Sequence, residues 1–293
     1  MNNTISRRRL LKSISVLPFL AGGATVLGQE TPSPSVKGNI RQAVTFSHGN
    51  LRALFSENPQ GLSKQLLEMG ILGLDLVNPE EWESVIKTGL LVTVSRVPDA
   101  SQQDSFNHVQ FHDKMEAVYN DIIPKAAKAG VKQVICFSGH RRELSDDEGI
   151  HNCITGLKRV IPTAEKHGVT LIMELLNPFN HKGYHADRTD FGAQIARGLG
   201  SENFKLLYDI YHMQRSEGNL IDTINKNVDV IGHYHTAGSP ERKDLDENQE
   251  IYYPAVMRAI VKTGFKGFVA HEFGPKKRDN LQSLRDAVKI CDV

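Results

Sequence analysis

The chain reads as an α/β protein, a closed (β/α)8 barrel of the TIM type, on three observations. Short apolar runs alternate with longer helical patterns from about residue 39 onward, and eight such pairs fill 39–293, the usual size and order of that barrel. Glycine stands at or just beyond five of the helical stretches (Gly70, Gly89, Gly130, Gly168, Gly264), where a left-handed C-terminal cap requires it. The first strand runs into Phe46-Ser47-His48-Gly49-Asn50. That is not the glycine-rich turn of a doubly wound open sheet, the other fold with this alternation. No phosphate-binding loop, nucleophile elbow or internal repeat is present.

In order, strands are expected over 42–47, 72–77, 91–97, 133–138, 169–175, 205–210, 230–236 and 267–273. Each is a short β-like run between longer helical patterns. Helices are expected over 61–69, 79–87, 111–128, 147–167, 187–199, 219–226, 254–262 and 279–290. Asp146, Asp147 and Glu148 complement the macrodipole at the start of the fourth helix. Trp82, the single tryptophan, is expected to pack between helix and barrel.

The first 28 residues stand apart. Ser6-Arg7-Arg8-Arg9-Leu10-Leu11-Lys12 precedes an apolar run over 14–27, broken by Pro18 and Gly22-Gly23. A basic segment, a short apolar segment and small residues behind it describe an export signal. The arginines with their flanks resemble a twin-arginine signal, with Leu10 where Phe is commoner. The expected location is therefore periplasmic or secreted, with membrane contact only through export or an uncleaved signal. Residues 29–38, including Thr31-Pro32-Ser33-Pro34-Ser35, read as a linker, and 39–293 as the barrel.

Removing the signal takes away four basic residues and no acid, so the formal charge falls from +1 to −3. A mildly acidic barrel without a basic stripe argues against nucleic acid as a partner. Cys136, Cys153 and Cys291 form no disulfide or metal motif. A homodimer is compatible with the fold.

Four residues at successive strand ends carry the chemistry: Glu174, Asp209, His235 and Glu272. In a parallel barrel the C-terminal rim is where such groups converge. Carboxylates and imidazole suit one hard to borderline divalent cation, Mn, Mg or Co, with Zn compatible. Three inward carboxylates without a cation would repel one another. Side chains two apart share a strand face, so Glu272 inward turns His271 toward the helices. His233 and His235 share the inward face, with His235 nearer the rim.

The segments 171–177, 207–214, 231–237 and 268–273, with Pro240, Arg242 and Tyr253-Pro254, resemble the xylose isomerase-like TIM-barrel superfamily, most closely its hydroxypyruvate isomerase branch. By that resemblance Glu174, Asp209, His235 and Glu272 are metal ligands, and His212 and Arg242 bind substrate. The hydroxypyruvate isomerase pattern has Gln at the place of His235. Related ketose 3-epimerases have His there, with an Asp-x-x-His like that of Asp209 and His212.

The expected reaction is isomerisation of a small hydroxy-carbonyl compound through an enediolate, as in hydroxypyruvate to tartronate semialdehyde. Glu174 and Glu272 would transfer the proton. Arg242 suits a substrate carboxylate because its planar fork binds in two places, and Asn177 is a candidate for a substrate hydroxyl. A ketose 3-epimerase, a lyase or hydrolase acting on an oxidised sugar, and a non-catalytic sugar-binding barrel are the alternatives.

Overall fold

Strands only four to seven residues long have no exposed face to spare, and nearly every residue of each is buried. The strands are β1 (Arg41–Thr45), β2 (Ile71–Val77), β3 (Leu91–Ser95), β4 (Gln133–Cys136), β5 (Thr170–Glu174), β6 (Phe204–Asp209), β7 (Ile231–Thr236) and β8 (Phe268–His271). In the computed structural model, which describes residues 36–276 and 279–293, they pair in parallel in chain order. β1 returns to β8 and closes the barrel. The expected signal and most of the linker lie outside the described residues.

Eleven α-helices surround the described barrel: α1 (Leu51–Glu57), α2 (Pro59–Glu68), α3 (Trp82–Ile86), α4 (His112–Ala129), α5 (Asp146–Leu157), α6 (Ile161–His167), α7 (Thr189–Leu199), α8 (Ile210–Ser216), α9 (Leu220–Lys226), α10 (Tyr253–Lys262) and α11 (Asn280–Cys291). The five glycines expected at helix ends all have positive φ, between 61° and 95°. One expected helix is two: 147–167 breaks between α5 and α6. Pro162 sits in the first turn of α6, where its missing N–H costs nothing, whereas inside a continuous helix it would remove a hydrogen bond and clash with the preceding turn. The short helices α1 and α8 were not anticipated; seven residues give only a weak periodic pattern, and α8 begins directly at the end of β6. Trp82 is buried as expected, its indole N–H donating to Ser95 Oγ at 3.0 Å.

Two buried polar contacts hold the rim. The Tyr253 hydroxyl, at the start of α10, donates to Ala237 O (2.7 Å) and accepts from Ala237 N (3.0 Å). This ties α10 to the segment just beyond β7. Tyr253→Phe leaves both backbone groups buried without a partner, and should cost about 2 kcal/mol in urea unfolding. A loss under roughly 0.5 kcal/mol, within the range of ordinary surface changes, would show that solvent takes over the role.

The second contact fixes the loop from β5 to α7. His185 stacks on Phe191 (centroids 4.4 Å apart), accepts from Asn107 Nδ2 at Nδ1 (3.2 Å), and donates from Nε2 to Asp146 (3.3 Å). Helix α5 lies flush against it: a Cβ on Gly149 would stand 2.1 Å from the ring. Burial, with Arg141 adding and Asp146 opposing, pushes His185 down to about 4. A depressed histidine stabilises the fold above the ordinary value of 6.5, and that stability is lost as pH falls through 4. Thermal stability should therefore fall between pH 7 and pH 5. His185→Gln, less stable at pH 7, should lose less over the same interval; equal losses would assign the acid limb elsewhere.

Candidate metal centre

Parallel register sets the site. Glu174 and Asp209 are the last residues of β5 and β6, His235 is next to last in β7, and Glu272 follows β8 directly. Asp209 and His235 are paired across the β6–β7 ladder. One donor atom from each of Glu174, Asp209, His235 and Glu272 lies within 4.8 Å of all the others. His235 Nδ1 is 2.9 Å from Glu272 Oε2 and 3.6 Å from Glu174 Oε1. His271 turns outward, its Nε2 donating to Gln42, which reaches α11 through Val288 O.

Charge balance explains how three carboxylates tolerate this burial. His235 Nε2 faces Asp75 Oδ2 at 2.7 Å, and its Nδ1 faces Glu272. Carboxylate oxygens only accept, so with no cation bound both ring nitrogens donate and the ring is an imidazolium. Burial alone would depress it, but Glu272, Asp75 and Glu174 outweigh that and hold it well above the usual value. Burial pushes Asp209 up to about 7; Arg242 and His235 pull it back, while Glu272 and Glu174 push further. Glu272 goes the other way, because Arg242 and His235 overcome its burial and bring it to about 2.

The residues fit a divalent cation. Asp209 Oδ2 is buried with no hydrogen-bond partner among the described residues, an acceptor left for something else. Three carboxylates and one imidazole are the donors that Mn, Mg, Co or Zn takes. Replacing the Nδ1 proton of His235 would open its lone pair to the same centre.

The other anticipated residues line up around this cluster. His212 follows Asp209 by one helical turn, where the Asp209 carboxylate caps α8 by accepting from His212 N (3.1 Å). Its Nδ1 accepts from Asn177 N (3.1 Å) and from the Asn177 side chain (2.6 Å). That leaves the proton on Nε2, 3.6 Å from Asp209 Oδ2 and free of any hydrogen-bond partner among the described residues. Asn177 also accepts from Phe179 N and Asn180 N and donates to Asn180, so its polar groups hold His212 and the loop. Arg242 donates to Glu272 (2.8 Å), lies 3.8 Å from Asp209 and covers the Tyr211 ring. Its backbone is left-handed (φ 57°), and Gly274 N holds its carbonyl at 2.9 Å.

A cleft of about 410 Å³ opens over the centre, with Glu174, Glu272 and Arg242 in its wall. Phe137 and Leu176 add apolar surface to its lining, and Arg96 and Gln102 add polar groups. Sequence reasoning missed Asp75, Arg96 and Gln102. Asp75 had a legible signal, a lone charge within the apolar strand β2; the other two are ordinary polar loop residues.

Residues 107–291 match the family described as xylose isomerase-like TIM barrel. Hydroxypyruvate isomerase of Escherichia coli (strain K12) is 30% identical over 168 residues, 57% of this chain and 63% of that one. The 2-oxo-tetronate isomerase of Cupriavidus necator is 33% identical over 113 residues, 39% of this chain and 43% of that one. The chain thus spans less than two thirds of the length of both isomerases. A solved structure titled AP endonuclease, family 2, from Brucella melitensis shares the fold at a TM-score of 0.74 and 18% identity, covering 83% of this chain and 96% of that one. The match over more than half of the chain decides its kinship: the chain belongs to the xylose isomerase-like TIM barrel family.

Proposed function

We propose that the protein is an exported, metal-dependent isomerase of a small hydroxy-carbonyl compound, of hydroxypyruvate isomerase type. The observation that carries this reading is the convergence of Glu174, Asp209, His235 and Glu272 beneath an open cleft. A divalent ion held by these four residues would supply Lewis acidity, drawing electrons from a carbonyl and its neighbouring hydroxyl. Glu174 shares no hydrogen bond with Arg242, whereas Glu272 is held by both Arg242 and His235. Glu174 is therefore the freer base.

In hydroxypyruvate, Glu174 takes a proton from the hydroxymethyl carbon. The C–H electron pair becomes the carbon–carbon double bond of an enediolate, and the carbonyl electrons move to oxygen. Glu174 returns that proton to the former carbonyl carbon, while the ionised Glu272 carries the hydroxyl proton from one oxygen to the other, which yields tartronate semialdehyde and leaves both carboxylates as they began. Arg242 binds the carboxylate through its fork, and the Nε2–H of His212 donates to a substrate oxygen.

A ketose 3-epimerase is the second reading, favoured by His235 and by the Asp209–His212 spacing. In that case the two glutamates act on opposite faces of one carbon. Metal analysis of protein lacking residues 1–36, followed by assay on hydroxypyruvate and on ketoses, tests both. About one ion per chain with turnover of hydroxypyruvate supports the first reading; turnover of ketoses alone supports the second. No metal after refolding with Mn or Co would sink both. Export is tested separately by fusing residues 1–36 to a reporter active only outside the cytoplasm.

A further inference from the structure

We propose that Asp75 is a positioning residue for the metal centre, holding His235 in the tautomer that turns the Nδ1 lone pair toward the ion; this rests on the metal reading above. Asp75 lies on β2, across the barrel from β7, and is fully buried. Its Oδ2 stands 2.7 Å from His235 Nε2, while its Oδ1 accepts from the Thr93 hydroxyl at 2.5 Å. Thr93 sits on the neighbouring strand β3, so the carboxylate is held from one side and holds His235 on the other. His233 approaches the same oxygen at 3.2 Å off the hydrogen-bonding line, and its Nδ1 donates to Gln133 Oε1 at 3.1 Å.

The backbone points to the same role. Pairing between β2 and β3 is irregular on both sides of Asp75, and Leu76 next to it has φ 54°. A left-handed non-glycine residue costs roughly 1–2 kcal/mol, and such irregularities re-aim side chains beside functional sites. Here they accompany a carboxylate aimed at the far nitrogen of a rim histidine.

The argument turns on competition for one proton. The two ends of the His235 ring face carboxylates: Asp75 at Nε2, Glu272 and Glu174 at Nδ1. A neutral imidazole keeps a single N–H. Without the acceptor at Nε2, that proton is better placed on Nδ1, where it occupies the lone pair a cation needs. With Asp75 present, Nε2–H is satisfied and Nδ1 is free to bind. Carboxylate partners of ligating histidines are typically worth 10–100-fold in metal affinity.

Asp75→Asn keeps the shape and removes the charge. Its Mn(II) dissociation constant, measured by calorimetry on protein shown to be folded, should rise about 10–100-fold. Thr93→Val, which leaves the carboxylate in place, should weaken binding by less than about tenfold. Nitrogen NMR of the Mg(II)-loaded wild type adds a signature that a purely structural role would not give: His235 should carry its proton on Nε2. Folded Asp75→Asn with wild-type affinity overturns the proposal. If Asp75→Asn does not fold, the NMR decides, and a proton retained on Nδ1 overturns it. A wild type that binds no Mn(II) removes the metal reading itself, a result distinct from unchanged affinity in the variant.

Discussion

Glu174→Gln and Glu272→Gln should each lower kcat by roughly 10³-fold or more, within or above the usual worth of a positioned proton-transfer group. Glutamine keeps the shape of the side chain and cannot accept a proton. The two variants should differ in what accompanies that loss. Glu272 accepts from His235 and Arg242, so its replacement also unbalances the charge of the site. Among the described residues the Glu174 carboxylate meets His235 at 3.6 Å and makes no hydrogen bond to Arg242, so its replacement reads the chemistry more directly. Steady-state kinetics with metal content measured on the same samples provide the check. Turnover within tenfold of wild type in both variants would exclude the carboxylates from proton transfer.

Arg242→Gln should destabilise the metal-free protein by about 2 kcal/mol, below the scale for removing one partner of a fully buried ion pair because Arg242 and Glu272 are only part-buried. For a barrel of this size that is a fall in Tm of roughly 4–8 °C. The guanidinium is hydrogen-bonded to Glu272 and close to Asp209, and these acids outweigh its burial and keep it charged. Without it, His235 is the main cation among the described residues facing the three carboxylates. Saturating Mn(II) supplies positive charge at the same place, so it should raise the Tm of the variant more than that of the wild type. Equal shifts would mean that Arg242 does not balance the cluster and serves the substrate alone.

The barrel was legible because its strands are buried on both faces and its helices end in glycine. These local signals survive without knowledge of what packs against them. The rim residues were legible for a related reason: an acid or histidine at the end of an apolar strand is conspicuous, and parallel topology sends all such ends to one face. The break at Pro162 carried a local signal too, yet the helical pattern on both sides of it masked the boundary. Helix α8 left no mark, because Asp209 acts both as a member of the rim cluster and as the cap of a helix too short for periodicity.

What the sequence by itself determined was the barrel and the set of acids and histidines at its rim, since both follow from residue type and strand parity. Tertiary structure alone decided how those charges are balanced. Arg242 comes to Glu272 from a loop 30 residues earlier, Asn177 meets His212 from 35 residues away, and Asp75 reaches His235 across 160. Electrostatic balance depends on distances of a few ångström between residues far apart in the chain. Strand periodicity records which face a side chain takes, but not which charge waits on the other side of the barrel.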